Sequence, residues 1–431
     1  MQYSLVLGAA LAVAIPTVTA GCANDGGNWY CDPVDSIKYT NFDFSGSYNM
    51  ITNMDDGSMS CGSSPKQYSG PLAPLDEEVS LHFRGPMNLH KLAVYNLGSD
   101  KPKRDLKPTI HERRHGHSHQ RFHEKRAVGD VVTATIDGKV VTWANNYGGG
   151  AAPTPAPGAP ASGPHVKSYG APKDNKKPKP SSSAPVNVGP GQWGRVAYYD
   201  ADAGEADGIT FLNNEGAWAE GVIQGFGCAL SYAAENLFGM GTSPSVPKDK
   251  MIPDGKEIVI MTDKKCEGNS CGYSRPGAVA YHGFDGANKI FLAQLDMPLT
   301  GAKAESIYSP VDMPAFWILN AQIPRVSQYP MNKDCSCWAS GCGEFDVLEV
   351  LAPGDKRCKS TLHGNVSGGS SYYFERPEKT VTAAVVFNAA SSSLHVKILK
   401  DMKDFPTTLD ADLVKEMCAD AERSNTFPLG S

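Results

Sequence analysis

The chain has 431 residues, a formal net charge of −6 and 41% hydrophobic residues. It is long enough for more than one core, and its acidic balance argues against nucleic acid as a partner. The 44 glycines and 31 prolines exclude a uniformly packed chain, and eleven cysteines point to disulfides in an oxidising compartment rather than to a metal site.

Residues 1–20 read as a secretory signal peptide. Leu5 to Ile15 is an apolar run too short to span a bilayer, and Val18-Thr19-Ala20 supplies a small-residue cleavage pattern. No later stretch reaches membrane-spanning length. The segment from Asn425 to Ser431 lacks the hydrophobic tail of a lipid anchor, so a secreted protein with no membrane anchor is expected.

Residues 21–98 hold short strand-like runs, Val79–Phe83 and His90–Tyr95, between clusters of Gly, Pro and Asn/Asp. They predict a small Gly-rich β domain. A basic, His-rich segment follows at 99–126. Within 101–126 nine Lys/Arg face three Asp/Glu, which leaves −12 for the remainder. Such polarity predicts a disordered segment. Its histidines (His111, His115, His117, His119, His123) read as part of an exposed linker rather than a metal site, and Lys125-Arg126 as a site for a processing protease.

Val131–Ile136 and Lys139–Trp143 flank Asp137-Gly138, which predicts a β-hairpin within 127–147. Residues 148–191 are rich in Pro, Gly, Ser and Lys without periodicity, a linker expected to separate two folding units.

From 192 to 431 strand candidates recur at short spacing: Glu257–Met261, Lys289–Gln294, Ala315–Leu319, Glu344–Leu351, Ser360–Gly364, Ser371–Arg376, Thr380–Asn388 and Ser393–Leu399. Ala411–Glu422 has helical periodicity. The fold expected is mainly β, a C-terminal β-sandwich of jelly-roll type with one peripheral helix. The eight late cysteines are expected to pair among themselves, leaving one odd thiol among Cys22, Cys31 and Cys61. Cys335, Cys337 and Cys342 have no nearby His in sequence and read as disulfide partners, with no metal and no cofactor expected.

The stretch Glu344-Phe-Asp346-Val-Leu-Glu349 carries the chemistry. Acids are depleted from strands, and burying several together is costly. In a regular strand Glu344 and Asp346 share a face while Glu349 points away. A one-residue bulge between Asp346 and Glu349 would bring all three to one face, as a pair of catalytic carboxylates requires. An acidic loop edge or a calcium site is the competing reading, although calcium draws on loop oxygens more than on an apolar strand.

This run resembles the E-x-D-x-x-E signature of glycoside hydrolase family 16. Flanking stretches are similar to that family too: Met313-Pro-Ala-Phe-Trp317-Ile-Leu, Trp338-Ala-Ser-Gly-Cys-Gly343, and Ser360-Thr-Leu-His363 leading to Gly368-Gly369. The resemblance implies Glu344 as nucleophile, Glu349 as general acid/base and Asp346 as the assistant between them. It further implies that Phe316, Trp317, Asn320, Trp338 and His363 line a substrate groove. Two departures stand out: Phe291–Leu295 lacks the Arg usual in the strand before the Pro-Ala-Phe-Trp motif, and Phe387 stands where Trp is usual. Over nearly its full length the chain resembles the fungal Target-of-SBF cell-wall proteins, through Phe83-Arg-Gly-Pro, Leu92-Ala-Val-Tyr95, Lys125-Arg126 and Val132 to Trp143. Asn365-Val-Ser367 is an N-glycosylation sequon.

Two functions compete. One is a retaining endo-1,3-β-glucanase of the cell wall, with transfer to a second glucan chain as a variant. The other is a non-catalytic wall protein that binds β-1,3-glucan in the same groove, which the two departures favour.

Overall fold

The computed structural model describes residues 21–98, 131–136, 139–144, 188–237, 239–304 and 311–430. The expected signal peptide, the basic segment with Lys125 and Arg126, and most of the linker lie outside them. The chain divides into two compact units, Met1–Asp100 with Lys179–Ser431, and Lys101–Pro178.

Residues 21–98 form β1 (Ala23–Asp25), β2 (Asn28–Tyr30), β3 (Ser36–Thr40), β4 (Asp43–Asp55), β5 (Ser60–Pro71), β6 (Val79–Arg84) and β7 (Met87–Leu97). The second unit contributes β8 (Val131–Ile136) and β9 (Lys139–Ala144), which pair antiparallel as the expected hairpin. The first unit resumes with β10 (Trp193–Asp200), β11 (Glu205–Asp207), β12 (Ile209–Asn213), β13 (Ser231–Ala233), β14 (Met240–Gly241), β15 (Met251–Ile252) and β16 (Glu257–Thr262). Then come β17 (Lys289–Asp296), β18 (Ala315–Asn320), the helix α1 (Gln322–Val326), β19 (Glu344–Val350), β20 (Arg357–His363), β21 (Gly368–Gly369) and β22 (Phe374–Glu375). The chain closes through β23 (Val381–Asn388), β24 (Ser393–Leu399), β25 (Thr408–Leu409), α2 (Ala411–Cys418) and β26 (Ser424–Pro428).

Two ten-stranded sheets result. One runs β11-β10-β7-β17-β23-β24-β3-β26, and the other, which carries the candidate site, runs β14-β13-β12-β16-β6-β18-β19-β20-β21. This topology corrects the expected separate domain at 21–98. β6 lies between β16 and β18, and β7 lies between β10 and β17, so the early strands occupy central places in both sheets.

The two inner faces share one buried cluster. Leu81, Phe83, Phe316 and Phe345 from the site sheet meet Leu92, Val94, Phe291 and Val385 from the other. The helix α2 starts at Asp410, whose side chain accepts from Leu413 N, and its Leu413, Val414 and Met417 cover the outer face of the second sheet over Leu292 and Val386. The outer face of the site sheet is thus the one left for chemistry. No helix among the described residues is long and apolar enough to cross a membrane.

The disulfides also depart from expectation. Cys22–Cys31, Cys266–Cys271 and Cys337–Cys342 are local, but Cys61 bonds Cys335 across 274 residues, joining the early and late groups. Cys228, Cys358 and Cys418 are free thiols. Grouping cysteines by position in the chain misled because the early strands are interleaved with the late ones.

Candidate active site

On β19 the alternation of a strand sends Phe345 and Val347 into the core and Glu344 and Asp346 outward. Continued alternation would drive Glu349 inward, and burying a lone carboxylate there costs several kcal/mol. The strand avoids this with a bulge. Asp346 pairs with Thr361 and Glu349 with Lys359, so Val347 and Leu348 together oppose Ser360. Both bulged side chains are fully buried, a gain of about 1.5–3 kcal/mol each. The three acids end on one face.

Cross-strand register assembles that face in rows. Glu344 lies beside Leu319 and His363, Asp346 beside Trp317 and Thr361, and Glu349 beside Ala315 and Lys359. On the next strand His82 follows Trp317 and Arg84 follows Ala315, and Glu257 of β16 lies beyond Arg84.

The side chains complete a connected polar network. Trp338 Nε1 donates to Glu344 Oε2 at 2.5 Å, and His363 Nε2 lies 2.9 Å from Asp346 Oδ2. The Glu349 carboxyl disfavours the charge on Asp346. Arg84 Nη2 donates to Glu349 Oε1 at 3.4 Å while its Nε is anchored on the Met313 carbonyl at 2.8 Å. The Trp317 indole is stacked on His82 at 5.1 Å and lies under the Arg84 guanidinium at 5.7 Å. Glu257 accepts from Asn214, Gln328 and Tyr329, and lies 3.2 Å from His82 Nδ1.

Burial is the main cause of unusual acidities here, because it disfavours the charged form. Glu344 is pushed up to about 7 by burial and then by the Asp346 charge, against the Trp338 hydrogen bond. Asp346 is raised by burial and by Glu349, and His363 opposes this. Glu349 is raised by burial; Arg84 pulls it down while the Glu344 charge pushes it up. His363 is raised above an ordinary imidazole by its bond to Asp346.

Of the expected groove residues, Trp338 is half exposed and His363 is partly open, so both border the acids from solvent. Trp317 sits among the acids but is only 4% exposed, a floor rather than a platform. Phe316 must be withdrawn: one step out of phase with Trp317 on β18, it points into the core, stacked on Phe83 at 4.6 Å. Asn320 is withdrawn too. It is buried, donating to Glu77 Oε2 and accepting from Gln322 N. Asn365 Nδ2 donates to both the Ser47 carbonyl and the Tyr68 hydroxyl, so a sugar on that nitrogen would displace one of these bonds.

Both departures lose their force. Phe291 and Phe387 belong to β17 and β23 of the other sheet, far in topology from the acids. The strand beside the Pro-Ala-Phe-Trp segment is β6, and it does carry an arginine, Arg84. Arg84, His82, Glu257 and Tyr329 are not marked by any local pattern of acids, because they reach the site through strand pairing and a hydrogen bond across the chain; Phe83-Arg-Gly-Pro is the one sequence signal near them. Among the described residues, Cys266, Cys271 and His282 also converge within 4.8 Å, but the two sulfurs are bonded to each other and offer no thiolate to a metal.

Comparison with known proteins follows the same division of the chain. Residues 191–417 match the family model described as cell wall protein YJL171C/Tos1, C-terminal, and residues 35–97 match its N-terminal counterpart. A protein of Arthroderma benhamiae named probable circularly permuted 1,3-beta-glucanase is 60% identical, with all of both chains covered. Proteins named probable circularly permuted 1,3-beta-glucanase TOS1 are 35% identical in Candida albicans, over 97% of each chain, and in Saccharomyces cerevisiae, over 96% of each. No solved structure matches.

Proposed function

The chain belongs to the YJL171C/Tos1 family of cell-wall proteins, and from that premise we propose that it is a secreted, retaining endo-1,3-β-glucanase working in the fungal wall. The observation that carries this reading is the β19 bulge, which sets Glu344, Asp346 and Glu349 on one solvent-reached face. The printed names of the relatives supply the substrate class.

In the first step Glu349, holding its proton, gives it to the glycosidic oxygen as Glu344 attacks the anomeric carbon. The C–O bond breaks and a glycosyl ester forms on Glu344. Glu349, now a carboxylate beside Arg84, takes a proton from water, or from a hydroxyl of a second glucan chain, which attacks and releases Glu344. Hydrolysis and transfer differ only in that acceptor. Asp346, 2.9 Å from His363 Nε2 and between the two glutamates on β19, positions the acid and shares in the charge change along the strand. All steps run on this chain's own carboxylates.

Arg84, on the strand beside the Pro-Ala-Phe-Trp segment and donating to Glu349, supports the catalytic reading over the binding-only one. A reducing-sugar assay on laminarin tests the proposal. Glu344→Gln keeps the shape and the acceptor for Trp338 but removes the nucleophile, and is expected to cut the rate about 100-fold or more. Equal activity in both proteins would remove the catalytic claim.

A further inference from the structure

The first hairpin of the chain lies outside both family-model matches, yet it is built into the same face as the acids. β1 and β2 pair Ala23 with Tyr30 and Asn24 with Trp29, and Cys22–Cys31 closes their base. Tyr30 is buried under the guanidinium of Arg357, 3.8 Å from its ring centre, with Lys359 Nζ at 5.3 Å. Asp25 pairs with Arg357, and Lys359 donates to the Trp29 carbonyl at 2.9 Å.

Arg357 and Lys359 share one face of β20 with Thr361 and His363, because successive side chains alternate along a strand. Lys359 stands directly opposite Glu349, and His363 opposite Glu344. The hairpin is therefore seated on the outer face of the site sheet, on the β20 side of the carboxylates. The same alternation on β2 that presses Tyr30 down lifts Trp29 away from the sheet, where it is 54% exposed. The Trp29 carbonyl accepts from Lys359, the residue directly opposite Glu349, so the hairpin lies beside the Glu349 row. A disulfide, an ion pair and a buried tyrosine hold in place a small element whose largest outward group is a bare indole, a flat apolar face of the kind that a sugar ring covers.

We propose that Trp29 is a stacking platform for a glucosyl unit of the glucan chain beyond the bond being cleaved, so that the Cys22–Cys31 hairpin extends the binding groove past β20. The proposal rests on the glucanase reading. The apolar C–H face of a glucose ring lies on the indole, and the ring hydroxyls stay in water.

The test compares the full-length protein with Trp29→Ala and Trp29→Phe on β-1,3-gluco-oligosaccharides of increasing length. Hydrolysis is followed directly, and binding is measured in the Glu344→Gln background. Trp29→Ala is expected to weaken KM and Kd by about five-fold on long chains, with the loss growing with length, and Trp29→Phe to restore part of it. Matching melting curves keep folding out of the comparison. Equal constants at every length, in a protein that cleaves glucan, would overturn the platform and leave the enzyme standing. A wild-type protein that neither binds nor cleaves these glucans would overturn the glucanase reading and the platform with it.

Discussion

Glu344 lies in a pocket that disfavours its charge, yet its proposed role requires that charge. Its elevation to about 7 from an ordinary 4.5 has a consequence for the rate: the nucleophile must be ionised, so kcat/KM should rise with pH through the neutral range rather than near pH 4.5. The other limb belongs to Glu349, which must keep its proton and is held to it by burial and by the Glu344 charge. His363 lowers all three acids through its positive charge. His363→Ala should therefore move the acid limb to higher pH, as read from a pH–rate profile. An unmoved limb would mean that His363 is not charged in the working enzyme. At this scale the sequence was informative where residues sit close in the chain. The three acids stand out by local spacing, and Trp338 and His363 by the resemblance of the runs around them. Phe316 and Asn320 could not be sorted from Trp317 without strand phase, and Arg84 lies 265 residues from its partner Glu349.

A strand that alternated without interruption would have buried Glu349, and the bulge on β19 is the element-scale answer to that cost. It was legible because three acids at unequal spacing in an apolar run admit few alternatives. The strands Val79–Arg84, Met87–Leu97 and Glu257–Thr262 were legible for a simpler reason, being β-branched and aromatic runs bounded by turn residues. The long hairpin of β4 and β5 was not. Its segments are rich in Ser, Asn and Gly and show little apolar alternation, since it buries only a few side chains, among them Tyr48, Ile51, Met54 and Tyr68. Tyr48 and Tyr68 join the buried cluster of Trp317, Leu319 and the Cys337–Cys342 bridge, and Cys61 ties the hairpin to Cys335. Asn49 N also donates to Ser340 Oγ. The hairpin thus steadies the segment that presents Trp338 to Glu344, a role that its composition does not announce.

At the scale of the molecule, the order of strands in space departs from their order in sequence. β7 and β10 are hydrogen-bonded neighbours, with Leu97 opposite Trp193 and Gly98 N donating to the Gln192 carbonyl, although the whole of the second unit's sequence lies between them. A Pro/Gly-rich stretch ordinarily separates folding units, so a linear reading placed a domain boundary inside what is one pair of sheets. The relatives' names describe a permuted chain, and central strands drawn from the amino-terminal part agree with that description. It follows that a cut engineered at Lys125-Arg126 should leave one active particle, its halves held by β6, β7 and the Cys61–Cys335 bond. A denaturing gel should show one band without reductant and two with it; two bands without reductant would contradict the pairing. The claim on which the rest depends is that the acid-bearing face of this sheet forms a covalent bond to glucan. Trapping with a 2-fluoro-laminaribiosyl fluoride followed by peptide mass analysis tests it directly: the account predicts a single glycosyl ester on Glu344, and a label on Glu349, or substrate turnover with no label at all, would contradict it.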